Sequence, residues 1–276
     1  MTHSGSTIMT REQLVEYAFT QHRAGNVPEA ERLYLLALDI DPEDFDALHL
    51  LGLLSLEVGR NDLAVELISR ALQSNTSPAA LNNLGQAYRA LALLEEAAHC
   101  YQEAIALKPD YVTAYNNLGA VLQESGKAAE AERAYLHALA LRPELAEVYS
   151  NLGNALQDLG RFEEAEQACR QALALNPDIA AAHNILGNAL QSQSRLDEAE
   201  QAFLRALSLQ PGYAKAHNNL GTVLYALGRP AEAEQAYRKA LELDPNLTIA
   251  HYNLAMAGLT DTLNQARMIF SGSITH

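Results

Sequence analysis

The chain contains no tryptophan, and Phe, Tyr and Trp together make up only 6% of its 276 residues. Hydrophobic residues still reach 49%, so the core must be built mainly from Ala and Leu. That composition suits close-packed helices rather than a sheet sandwich, whose strands favour aromatic and β-branched residues. Cysteine is nearly absent: Cys100 and Cys169 are the two. They can form neither a disulfide framework nor a four-ligand zinc site by themselves. Cations are scarce as well, with Lys plus Arg at 19 against 34 Asp plus Glu, a formal charge of −15. Gripping nucleic-acid phosphates needs clustered cations, so no nucleic-acid partner is expected, and the acidity favours a basic partner. No apolar run approaches the roughly 18 residues that suggest a membrane span, and the opening MTHSGSTIMTREQLVEYAF has no apolar signal core behind a basic start. The expected setting is cytoplasmic, with no membrane partner. At roughly 100–200 residues per domain the length allows one or two domains.

What the chain has in abundance is repetition. Asn-Leu-Gly occurs at Asn83-Leu84-Gly85, Asn117-Leu118-Gly119, Asn151-Leu152-Gly153 and Asn219-Leu220-Gly221, and Ile185-Leu186-Gly187 fills the gap, so that successive glycines lie 34 residues apart. Pro109, Pro143, Pro177, Pro211 and Pro245 keep the same step, as do Ala97, Ala131, Ala165, Ala199 and Ala233. Upstream the register continues through Leu51-Gly52 and then Ala18 in the glycine place, with Pro42 closing the first repeat. The expected repeats are 11–44, 45–77, 78–111, 112–145, 146–179, 180–213 and 214–247, with a partial one over 248–258. The second is one residue short and runs through Ser74-Asn75-Thr76-Ser77 to Pro78, so its turn should differ.

Each repeat reads as two helices. In the fourth, Tyr115, Leu118, Gly119 and Leu122 recur at the spacing of one helical face. Gly126 punctuates, and Ala131, Ala134, Tyr135, Ala138 and Leu139 form a second face. Pro143 ends that helix, because it lacks an N–H and clashes with the preceding turn. A glycine inside the first helix costs about 1 kcal/mol against Ala. Its recurrence implies close approach of the second helix, with the small Ala131 or its equivalent expected to face it.

These residues resemble the tetratricopeptide repeat, a 34-residue helix–turn–helix signature of Leu-Gly, Tyr, Ala, aromatic and Pro. Leu84-Gly85, Tyr88, Ala97, Tyr101 and Pro109 stand at those places. The resemblance covers about 11–258. Ala92 and Ser194 depart from the inter-helix glycine, Cys169 and Ile68 from the second-helix aromatic, and Gln21 and Ser55 from the first-helix tyrosine. It implies an all-α fold, a right-handed tetratricopeptide superhelix (an α-solenoid) of about seven helix–turn–helix repeats plus a capping helix, whose first helices line a concave groove. Residues 1–10 are expected to be a flexible terminus, and 259–276 a degenerate capping helix near 261–270 followed by a disordered tail.

Side chains beside the Leu-Gly face should look into that groove. They are Asn82, Asn83 and Gln86; Asn116, Asn117 and Gln123; Asn151, Asn154 and Gln157; Asn184, Asn188 and Gln191; Asn218 and Asn219; and Asn253. A carboxamide has the donors and acceptor of a peptide bond, so a row of them can pair with an extended backbone without reading its side chains. Packed helices lie about 8–10 Å apart, a step of roughly three extended residues. Each hydrogen bond nets only about 0.5–1.5 kcal/mol and ordering a peptide costs free energy, so weak, broad binding is expected. The Asn-Leu-Gly runs also resemble the repeats of O-linked N-acetylglucosamine transferases and related bacterial proteins. That resemblance implies an asparagine ladder through Asn83, Asn117, Asn151, Asn219 and Asn253, interrupted at Ile185, in a recognition arm without the catalytic domain.

Other candidates point away from chemistry. His183, His217 and His251 repeat with the array, too far apart to share one metal ion, and are expected to pack in the core. Cys169 takes an aromatic core place and should be a buried small hydrophobe. Glu95-Glu96, Glu163-Glu164 and Asp197-Glu198 stand where second helices begin and suit the helix dipole. Arg89 and Lys215 are isolated cations and do not form the cationic clamp some relatives use for chaperone tails. The expectation is therefore a non-enzymatic module binding an extended, unstructured segment of a protein partner, with no cofactor and no metal. The alternatives are a glycosyltransferase's substrate-recognition arm and a scaffold self-associating through array ends at Phe19, Leu50, Leu53 and Ile269.

Overall fold

The computed structural model describes residues 9–258. The capping helix expected near 261–270 and Ile269 lie outside the described residues, as does all of the expected flexible terminus except Met9 and Thr10. Thr10 is not loose: its Oγ1 accepts from the backbone N–H of Gln13 while Gln13 Oε1 accepts from the backbone N–H of Thr10 at 3.0 Å, a reciprocal cap on the first helix.

The described residues are helical throughout, in two compact units divided after Leu141. The first holds α1 (Arg11–Arg23), α2 (Val27–Ile40), α3 (Phe45–Glu57), α4 (Asn61–Ser74), α5 (Pro78–Ala90), α6 (Leu94–Leu107), α7 (Val112–Glu124) and α8 (Ala128–Leu141). The second holds α9 (Ala146–Asp158), α10 (Phe162–Leu175), α11 (Ala180–Ser192), α12 (Leu196–Leu209), α13 (Ala214–Ala226) and α14 (Pro230–Leu243), followed by helical residues 248–258.

Within a pair the turn is a tight left-handed one. Gly160 has φ 73°, and Ala92 and Ser194 adopt φ 59° and 62° at the equivalent places, a conformation that strains a residue with a Cβ. Between pairs the connector is usually four residues long with proline second, as in Asp41-Pro42-Glu43-Asp44. After α4 it shortens to Asn75-Thr76-Ser77, and Pro78 opens α5, where its missing N–H leaves no bond unmade.

From α3 onward, each first helix presses its glycine onto the second helix, though not chiefly onto alanine. A Cβ on Gly119 would lie 2.5 Å from Tyr135, and one on Gly187 2.5 Å from Phe203. At Gly153 the neighbour is Cys169 Sγ, 2.7 Å away. The ring therefore fills the space the glycine vacates. The expectation that Ala131 and its equivalents face the glycine is corrected. Those alanines are buried, but among the three atoms nearest each glycine they contribute only a backbone carbonyl, as Ala233 does 3.1 Å from the Cβ position of Gly221.

Consecutive helices pack against one another within each unit. In addition α1, α3, α5 and α7 pack in turn in the first unit, and α9, α11 and α13 in the second, whereas within each unit the backbones of the even-numbered helices stay apart and only side chains reach between them. The odd-numbered helices thus form the inner layer of each unit and the even-numbered ones the outer. Salt bridges tie successive outer helices across their connectors: Arg60 reaches Glu31 at 2.7 Å, Arg195 reaches Glu166 at 2.8 Å and Arg229 reaches Glu200 at 2.8 Å.

Candidate peptide-binding groove

The amides of the inner layer form a directed relay between neighbouring repeats. In the second unit Asn219 Nδ2 donates to Asn184 Oδ1 at 3.1 Å and to Asn188 Oδ1 at 2.9 Å. Asn218 Nδ2 donates to Asn219 Oδ1 at 3.2 Å, and Asn253 Nδ2 donates to Asn218 Oδ1 at 3.0 Å. The first unit repeats the motif: Asn117 Nδ2 donates to Asn82 Oδ1 at 2.9 Å and Asn82 Nδ2 to Asn83 Oδ1 at 3.4 Å. Asn83 Nδ2 then donates to His49 Nε2 at 3.0 Å. His49 occupies the register of Asn82 one repeat earlier, and burial lowers its pKa. Its part in the relay was not singled out from sequence, although that register would have revealed it.

Burial divides the candidate residues by role. Asn82, Asn184 and Asn218 are only 3%, 6% and 5% exposed, and the Oδ1 of each accepts from the asparagine of the following repeat. Asn83, Asn116, Asn117, Asn151, Asn219 and Asn253 are half-buried. Gln157 Nε2 donates to the Ile185 carbonyl at 2.8 Å, and Gln123 Oε1 accepts from Tyr135 Oη at 3.4 Å. Gln86 and Gln191 are half-buried and Asn154 is exposed.

The second unit encloses an open concavity of about 480 Å³ on this inner layer. Its walls bring together Asn151, Asn154, Asn184, Asn188, Asn218 and Asn219. Ile185, Tyr213, Leu247 and Ile249 add an apolar edge, and Lys215 is the single cation. Among the described residues the walls carry no carboxylate. The first unit has a concavity of about 500 Å³ that holds Gln86 and Asn117 with Leu56 and Thr113. There Arg89 Nε lies 3.1 Å from both carboxylate oxygens of Glu124, so the cation is neutralised by its own wall. Tyr213, Leu247 and Ile249 were not foreseen as groove residues. Their signal is the mixed, weakly patterned register of the connector and first helical turn.

The three periodic histidines do not pack in the core. His183, His217 and His251 each donate Nε2–H to the carbonyl of Pro177, Pro211 and Pro245, at 2.9 Å in every case. A proline carbonyl at a helix end lacks a helical N–H partner, and the imidazole supplies one, which holds the ring at the surface. Both cysteines are buried. Burial pushes the Cys169 thiol up to about 12 and the Cys100 thiol up to about 11, so neither is a thiolate nucleophile at neutral pH. Phe19, expected at an exposed end, is 41% exposed, while Leu50 and Leu53 are half-buried. Among the described residues no helix is long and apolar enough to cross a membrane.

Known proteins share this architecture. The chain is 25% identical to YrrB, whose solved structure is described as that of a TPR protein with an unusual peptide-binding site. The TM-score is 0.53, over 68% of this chain and 97% of that one. A tetratricopeptide repeat protein from Parabacteroides merdae superposes with a TM-score of 0.71 over 90% of this chain and 98% of its own, at 17% identity, which speaks for the fold alone. Human Tetratricopeptide repeat protein 6 is 27% identical over 101 residues, 37% of this chain and 19% of the human protein, so the chain matches under a fifth of that relative's length. Family models described as tetratricopeptide repeat or TPR repeat match residues 20–80, 49–98, 93–126, 124–160, 146–179 and 178–246. They follow one another without a gap, and the chain belongs to the tetratricopeptide-repeat family.

Proposed function

We propose that this protein is a non-enzymatic binding module that holds an extended segment of a partner protein against the inner layer, with the second unit's concavity as the main seat. One observation carries the reading. Among the described residues, once the relay is satisfied Asn154 retains its whole carboxamide and Asn188 its Nδ2 donors, both on the wall of an open cavity. An unused donor–acceptor pair in an open wall matches a peptide bond, and the repeat spacing suits an extended chain. The described peptide-binding site of YrrB supports the same use of the fold.

The energetics set the expected strength. Net gains of about 0.5–1.5 kcal/mol per hydrogen bond, set against the ordering of a flexible segment, place short peptides at about micromolar affinity or weaker. The test is titration of unstructured labelled peptides with and without backbone N-methylation. Methylation should abolish binding, and Asn154→Ala with Asn188→Ala should weaken it while the helical content stays unchanged. Equal binding of methylated and unmethylated peptides would contradict backbone recognition.

A further inference from the structure

We propose that the second unit's concavity selects an extended segment in which an acidic side chain stands next to an aliphatic one, with Lys215 taking the carboxylate. The inference rests on the peptide-binding reading above and adds the partner's chemistry to it. The chain is strongly acidic, at −15, yet the walls of this concavity hold no carboxylate and one lysine. Lys215 is exposed and makes no ion pair among the described residues. The first unit's groove cation, Arg89, is by contrast already occupied by Glu124. Of these two cavity cations, Lys215 is therefore the one left for a ligand among the described residues.

The neighbours of Lys215 define the rest of the chemistry. It stands at the second position of α13, and the same register holds Ala181 on α11 and Ile249 in the helix that follows α14. Both line the cavity with it, and Ile249 is 52% exposed. The same register on α9 is Glu147, which is not in the cavity wall. Ile185 stands where the third, fourth, fifth and seventh repeats place asparagine, so an apolar residue interrupts the amide floor of the cavity that Lys215 lines. Four residues along α13, on the same face, Asn219 takes part in the amide relay. A carboxylate on Lys215 would thus be flanked by aliphatic surface, while amides are within reach of the adjoining backbone.

The test uses three labelled peptides in a Gly/Ser host, carrying Asp-Leu, Lys-Leu or Asp-Ser, titrated by fluorescence anisotropy into the whole chain. The Asp-Leu peptide should bind tightest, with its advantage shrinking as salt is raised. Lys215→Ala should cost it about three-fold, in line with an exposed ion pair. Lys215→Glu should reverse the preference toward Lys-Leu, and Ile249→Ser should remove the preference of Leu over Ser. Lys215 and Ile249 are both exposed, so these variants should keep the helical circular dichroism of the parent. Equal affinity for Asp-Leu and Lys-Leu, unchanged in Lys215→Glu, overturns the selectivity. If N-methylation still abolishes binding in that case, the backbone reading survives without it. If methylation has no effect, the backbone reading has failed, whatever the charge variants do.

Discussion

The side chain of Asn219 reaches back across a repeat interface to Asn184, Nδ2 donating to Oδ1 at 3.1 Å. The acceptor is 6% exposed, so this amide works chiefly as a fastener between repeats. Asn154, exposed on the cavity wall, is the contrasting case. In a solenoid whose stability is roughly a sum of repeat and interface terms, the two kinds of amide should separate experimentally. Asn218→Ala, which removes an acceptor for Asn253 and a donor to Asn219, should destabilise by about 1–2 kcal/mol. Asn154→Ala should change stability by less than about 0.5 kcal/mol while weakening peptide binding. Urea unfolding with a parallel peptide titration measures both. Equal stability loss in the two variants would refute the division of roles.

The glycine–ring contacts lead to a second expectation. A Cβ at Gly187 would sit 2.5 Å from the Phe203 ring, which is fully buried and has nowhere to move. Gly187→Ala should therefore cost about 1–3 kcal/mol as overpacking, even though alanine is the better helix former. At Gly153 the obstacle is a single sulfur, Cys169 Sγ. Gly153→Ala combined with Cys169→Ala should be less damaging than the sum of the single changes. A thermal or urea double-mutant cycle shows whether the pair couples in that direction.

The fold was legible in the sequence because a helix pair must bury the same faces in every repeat. The Leu-Gly and Ala-aromatic spacings therefore display the burial directly. The site was less so. Asn184 and Asn188 lie four residues apart on one face and look alike as letters. Only the position of the next repeat's Asn219 shows that one is enclosed while the other keeps free donors. His183 was misread for a related reason. Its register usually carries a large ring, and ring size conceals that imidazole also has an N–H to give to Pro177. The approach of the aromatic at the glycine, in place of alanine, depends on how side chains interdigitate, which spacing alone does not encode.

Two turns carry removable strain. Ala92 and Ser194 hold φ 59° and 62° where Gly160 holds 73°. The left-handed conformation costs a residue with a Cβ roughly 1–2 kcal/mol, partly offset by glycine's greater freedom when unfolded. Ser194→Gly and Ala92→Gly should each stabilise by about 0.5–1 kcal/mol, and Gly160→Ala should destabilise by a similar amount. Midpoints of thermal unfolding report the sign, and a lower midpoint for both glycine variants would contradict the assignment.

Burial of Cys169 predicts an alkaline weakness. Removal from water disfavours the thiolate and pushes the folded-state pKa up to about 12, from an ordinary value near 9. Between those values the unfolded chain has released the thiol proton and the folded chain has kept it. Stability from this group is therefore whole below about pH 9 and declines as pH rises toward 12, at up to about 1.4 kcal/mol per pH unit. Buried tyrosines such as Tyr101, whose hydroxyl burial also pushes up, add to the decline, so the wild-type curve alone does not isolate the cysteine. The informative quantity is the difference between the wild type and Cys169→Ala. The variant should lose some stability at pH 7 through the cavity it leaves, and that deficit should shrink steadily from pH 9 upward because it has no thiol to ionise. Alkylation offers an independent check: at pH 8 Cys169 should react with iodoacetamide only as fast as its repeat opens, and mild urea should accelerate the reaction. Rapid labelling of the fully folded chain, or a deficit constant across alkaline pH, would show that the sulfur is not sealed beside Gly153.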